Sequence, residues 1–266
     1  MNILAYVASA LIGISLGLIG GGGSIMTVPV LVYLVGTSPL LATSYSLFIV
    51  GSTSLVGAVD NYRKGLVDIK TALLFGLSSI TTVFLTRKFI IPAIPRHLAR
   101  IGGFDLTANI LTMVLFAVLM IAAATAMIRS NTSNEAKVIK PEKKPDLLWL
   151  MIYGVAIGLA TGVLGAGGGF LLIPTLVLIV GLPVKKAIGT SLLIIALNSL
   201  IGFTGDLGHF AINWLLLAKI TFTAITGVFI GGVLGKHINA GSIKKGFGWF
   251  VLVMGVYIII KELHNQ

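Results

Sequence analysis

One glycine run set in apolar sequence occurs twice in this chain, and it limits the possible folds more than any other feature. Gly17 to Pro29 reads GLIGGGGSIMTVP, and Gly162 to Pro174 reads GVLGAGGGFLLIP. With Gly17 laid on Gly162, the residues Gly20, Gly22, Gly23 and Pro29 fall on Gly165, Gly167, Gly168 and Pro174. The register continues without a gap through Ala42 on Ala187, Ser46 on Ser191, Ser54 on Ser199 and Gly57 on Gly202. A period this long is no solenoid repeat; it marks one half-protein duplicated and fused. Glycine costs a helix interior about 1 kcal/mol against alanine, so a cluster of glycines breaks a helix where the apolar sequence would otherwise continue it.

That apolar setting decides the class. Hydrophobic residues make up 56% of the 266 and charged residues 10%, and the mean hydropathy is +1.05. Runs such as Leu106 to Ile128 and Leu147 to Leu164 are long enough to cross a ~30 Å hydrocarbon layer as helices. The chain therefore reads as an all-α polytopic membrane protein. The net charge of +11 sits in short stretches between apolar runs, where it acts as a topology signal rather than a nucleic-acid surface. With no cysteine there is no disulfide, no thiol chemistry and no cysteine-held metal. The first Lys or Arg is Arg63, so the N-terminus lacks a basic leader and is expected to remain as the first membrane helix.

The apolar segments are Ile3–Ile19, a short Ser24–Val35, Leu40–Val59, Ile69–Ile91 and Leu106–Ile128 in the first half. The second half has Leu147–Leu164, a short Phe170–Val180, Val184–Phe203, Ile212–Leu234 and Gly246–Ile260. This predicts three regions: a first membrane repeat, 1–128; a polar cytoplasmic linker, 129–146; and a second membrane repeat, 147–266. At about 1.5 Å per residue the short runs reach only past the middle of the bilayer. Read as hairpins with the helix before them, they put Arg63, Lys64, Lys70, Arg129, the linker lysines, Lys185, Lys186, Lys236, Lys244 and Lys245 on one side. Only Arg87, Lys88, Arg96, Arg100 and Lys261 are left for the other. Without hairpins the charges divide evenly, so the positive-inside rule favours the hairpins. The expectation is two inverted repeats, each of four full-length helices and one short half-helix that forms a glycine-tipped hairpin. Both termini would lie outside and the linker in the cytoplasm. Paired interrupted segments in corresponding positions point to a transporter's midplane site.

A half-helix starting inside a membrane offers unpaired N–H groups and the positive end of its dipole. The candidate substrate-binding residues are therefore Gly20, Gly21, Gly22, Gly23 and Ser24 at one tip, and Gly165, Gly167, Gly168 and Gly169 at the other. Ser24 is suited to cap its half-helix or to add a hydroxyl donor. No cationic side chain lies near either run in sequence, which fits a small anion held by dipoles and hydroxyls. Close helix packing is the alternative use of such glycines. No Lys-Ser/Thr follows the run as a P-loop requires, and no strand precedes it as a dinucleotide fingerprint requires. A second layer comes from Ser46 and Thr53 on one helix and their repeat mates Ser191 and Asn198 on another. Polar side chains at that depth either line a pathway or join helices.

These residues resemble the sulfite exporter TauE/SafE family. The resemblance rests on the two glycine runs with a following proline and on the tract Gly189, Thr190, Ser191, Leu192. It also rests on the closing element Gly65, Leu66, Val67, Asp68, and it covers nearly the whole chain. It implies a multi-pass inner-membrane permease of small sulfur-containing anions such as sulfite, thiosulfate or organosulfonates. No catalytic residue, metal or cofactor is implied; a coupling ion, proton or sodium, is compatible with it.

Three other residues enter as candidates. Lys219 lies inside an apolar segment, close enough to its end to snorkel outward. Asp206 and His209 are expected in an outer loop, as a solvated pair or a proton-linked gate. An anion channel is the nearer rival to a carrier. An intramembrane serine hydrolase is the more remote one, because His209 is expected outside while the serines lie deep.

Overall fold

In the computed structural model, residues 3–95, 97–101, 104–129, 147–234 and 240–264 are described. Most of the expected linker, 130–146, lies outside them. The first half consists of α1 (Ile3–Ile19), a 3-10 turn (Gly20–Met26), α2 (Thr27–Tyr33), α3 (Pro39–Arg63) and α4 (Ile69–Leu85). Helix α4 continues through a π turn (Thr86–Ile90) into the stub α5 (Ile91–Ala93). A two-stranded hairpin, β1 (His97–Ile101) and β2 (Phe104–Thr107), leads into α6 (Ala108–Arg129). The second half is α7 (Leu147–Leu164), α8 (Gly169–Leu178), α9 (Val184–Asp206), α10 (Trp214–Leu234) and α11 (Ala240–His264). The protein is an all-α polytopic membrane protein, and the small hairpin is its one departure from helix among the described residues. Sequence reading extended the apolar segment back to Leu106, where the strand pairing of β2 takes over.

Local chemistry accounts for the boundaries. Pro39 opens α3 at a position where its missing N–H costs nothing. Gly65, with φ +69°, ends it by letting the Leu66 N–H reach back to the Asn61 carbonyl. Asp68 then caps α4, accepting the Thr71 N–H at 2.9 Å. The Asp68 N–H itself donates to the Thr190 hydroxyl at 2.9 Å. The two short elements singled out in the sequence, Gly65–Asp68 and Gly189–Leu192, are thus one joint between the halves.

Among the described residues, five spans are long and apolar enough to cross a membrane: α3, the continuous Ile69–Ala93, α6, α9 and α10. Helices α3 and α9 are the most enclosed, with 67% of their apolar windows buried against 39% in α6 and α10. They form the centre, and the outer helices turn Leu77, Phe222, Phe229 and Trp249 outward. Equivalent elements of the halves pair across this centre, α3 with α9 and α6 with α11. The remaining pairs are exchanged: α1 packs on α10, and α7 on α4.

The glycines show the directions. A Cβ on Gly51 would meet Leu200 while one on Gly57 would meet Leu192, so α3 and α9 run antiparallel. Gly248 lies on Met127 and Gly255 on Met120, which makes α6 and α11 antiparallel as well. Gly13 abuts Ala224 and Gly17 abuts Val228, so α1 and α10 run parallel, as do α7 and α4 through Gly154 on Ser78 and Gly158 on Thr82. These exchanged seams are built from glycine because backbone touches backbone there.

Candidate functional site

The two glycine runs meet. A Cβ on Gly21 would lie 2.7 Å from the Cα of Gly169, and one on Gly169 would strike the Gly21 carbonyl. Gly167 faces Val50 of α3 together with Ile195 and Ser199 of α9, all near the middle of their helices. Gly20, Gly21, Gly22, Gly23 and Ser24 are buried, as are Gly165, Gly167, Gly168 and Gly169. The arms of the hairpins reach beyond this meeting point. Gly20 rests on Ile188 near the start of α9, and Gly165 rests on Thr43 near the start of α3.

The two tips differ in backbone. Gly20 and Gly165 share a left-handed turn, φ +74° and +68°, as their alignment requires. The first run then winds as a 3-10 turn, whereas Gly167 and Gly168 stay left-handed at +68° and +65° until α8 begins. Ser24 departs from its expected role. Its hydroxyl donates to the Gly21 carbonyl at 2.8 Å, and the capping position of α2 is Met26, with no side-chain cap. The tight 3-10 winding brings that carbonyl within reach of Ser24 before the α-helix starts.

The second layer is buried but unevenly committed. Ser46 has no hydrogen-bond partner among the described residues. Thr53 donates back to the Ile49 carbonyl at 2.7 Å, and Ser191 to the Ile188 carbonyl at 2.9 Å. Asn198 spends its amide on the Ser79 hydroxyl at 2.7 Å and leaves its oxygen unpartnered. Ser199, against Gly167, also keeps a free hydroxyl.

A cavity of about 180 Å³ opens beside this centre, between α1, α3 and α10. Gly17, Thr53, Leu192 and Gly232 line it, and its mouth carries Asp60, Asn61 and Lys64. Lys64 is paired with Asp60 along α3. Among the sequence candidates, Thr53 is the one the cavity reaches.

On the other side of the tips stands a charge that sequence reasoning counted among those of the outer face. Arg87 is fully enclosed, held at Nη1 by Asp206 Oδ2 at 3.2 Å and by the Thr43 hydroxyl at 3.0 Å. Thr43 is the residue Gly165 rests on, and Gly162 packs on Thr86. A cation therefore does lie near the second glycine run, contrary to expectation. Arg87 continues the buried face of α4, following Phe75, Ser79 and Val83 at i+4 spacing, and so points into the centre. Asp206 is likewise the last residue of α9, fully buried, and only His209 of the expected loop pair is exposed. The signal was present in the sequence: Arg87 lies inside the apolar segment Ile69–Ile91, with apolar residues on both sides of Arg87 and Lys88. Lys219 is exposed on the outer surface of α10, away from the cavity.

Comparison with known proteins agrees with this architecture. The model of the family described as Sulfite exporter TauE/SafE matches residues 5–258. A probable membrane transporter protein of Xylella fastidiosa is 28% identical, over 97% of this chain and 94% of its own length. Probable membrane transporter proteins of Bacillus subtilis (YunE) and Haemophilus influenzae are each 26% identical, over 98% and 97% of this chain and 96% and 98% of their own lengths. No solved structure matches.

Proposed function

This chain belongs to the sulfite exporter TauE/SafE family and is a multi-pass membrane transporter; from that premise we propose that it is a secondary carrier of a small anion in the inner membrane. The substrate class is a sulfur oxyanion or organosulfonate, bound between the two glycine tips and released by alternating access. The observation that carries the reading is the buried contact of Gly21 with Gly169, with the hydroxyl of Ser199, unpartnered among the described residues, beside Gly167. Backbone N–H groups at a glycine turn and free hydroxyls favour binding of an anion.

Antiparallel pairing of equivalent helices supports the inverted repeat, because a two-fold relation perpendicular to the helices exchanges the faces of the membrane. In that topology the cavity beside Thr53 faces the cytoplasm, while Arg87 and Asp206 close the outer side. An arrangement open on one side and sealed on the other suits a carrier better than a channel, which needs a continuous polar path.

Purified protein in liposomes should take up labelled sulfite, thiosulfate or taurine with saturation, and should show counterflow against unlabelled substrate. Linear, non-saturating flux without counterflow would replace the carrier by a channel.

A further inference from the structure

The Arg87 guanidinium is only half used. Its Nη1 is bound by Asp206 and Thr43, whereas Nε and Nη2 have no partner among the described residues although the side chain is fully enclosed. Those two N–H groups form one edge of the planar fork, two parallel donors spaced for two oxygens carried on one atom. Buried polar groups are ordinarily satisfied, and a charged one left open inside a membrane protein is a functional signal. A further unpaired group stands beside it. The Thr86 hydroxyl, next to Arg87 in the π turn, has no partner among the described residues.

The internal repeat sharpens the point. Laying the halves on one another puts Arg87 on Gly232 and Asp206 on Asn61. Gly232 and Asn61 line the open cavity, and a Cβ on Gly232 would meet nothing within 4 Å. The same place in the fold is thus empty on one side and filled by an ion pair on the other.

We propose that Arg87 is the cationic anchor of the transported anion: the free Nε/Nη2 edge takes a sulfonate, sulfite or carboxylate group, with Thr86 as a further donor. Asp206 occupies the opposite edge and holds the outer face shut until the anion competes for the guanidinium. This rests on the anion-carrier reading and gives it a site residue beyond the glycine tips. It also sets the ligand class, an oxyanion with at least two oxygens on one centre.

The test is equilibrium binding of labelled sulfite, thiosulfate and taurine to the full chain in nanodiscs. Arg87→Gln and Arg87→Lys should each weaken affinity roughly tenfold or more, because lysine keeps the charge but not the fork. Asp206→Asn should tighten it, since it removes the internal competitor. A structural ion pair would move the variants in one direction, so weaker binding by Asp206→Asn together with the Arg87 variants overturns the proposal. Unchanged affinity in Arg87→Lys overturns it too. Should Arg87→Gln fail to insert, Arg87→Lys and Asp206→Asn carry the comparison. Wild-type protein that binds none of these anions removes the carrier reading and this inference together. Wild-type binding with indifferent variants removes this inference alone.

Discussion

A methyl group on Gly21 would press on the backbone of Gly169, which has no flexible side chain to move aside. Overpacking of that kind costs about 1–3 kcal/mol. Gly21→Ala is therefore expected to lower thermal stability by that amount and to abolish anion uptake. Gly76→Ala is the control: its Cβ would meet only Ile80 Cδ1, at 3.7 Å, and a helical alanine gains about 0.5–1 kcal/mol over glycine. Melting curves and uptake on the two variants decide the point, and equal losses would mean that the glycines serve only packing. Asn198 belongs at this scale as well. Its residue type predicted a lining role, yet its amide is committed to Ser79.

Among the elements, α10 carries two adjacent glycines with opposite surroundings. Gly231 abuts the backbone of Ile14 in α1, while Gly232 faces the cavity with open space around it. Gly231→Leu should break the α1–α10 seam and leave little monodisperse protein on size exclusion. Gly232→Leu should fold normally and reduce uptake by filling the cavity from the side. A folded, fully active Gly232→Leu protein would show that the cavity lies off the transport path. The exchanged pairing of α1 with α10 and of α7 with α4 explains why glycine is used in both seams: each hairpin arm is clasped by a helix of the other half.

For the whole molecule, the absence of cysteine provides a direct probe of sidedness. Lys64 and His209 are both exposed, at the ends of α3 and α9. Single-cysteine variants Lys64→Cys and His209→Cys should react with an impermeant maleimide from opposite sides of the membrane, Lys64→Cys from the cytoplasm. Labelling from the same side would sink the inverted repeat and with it the alternating-access reading. Saturating anion should also change the labelling of Asn61→Cys at the cavity mouth, because a carrier that changes its open face alters access to that residue.

Duplication, apolar spacing and glycine breaks are local properties, and they alone determined that the chain crosses a membrane several times in two similar halves. They also marked where each half turns back, because glycine enters the left-handed conformation seen at Gly20 and Gly165 without the Cβ clash of other residues, and a left-handed residue ends a helix. Tertiary structure decided the rest. Counting residues along an apolar run locates the end of a helix but not its rotation. Packing of one face of α4 on α9 turns Phe75, Ser79, Val83 and Arg87 inward together and brings Arg87 to Asp206, a residue far away in sequence. The same holds for Ser24 and Asn198. Whether a buried polar group is free to meet a ligand depends on which neighbour reaches it first, and only packing between distant segments settles that.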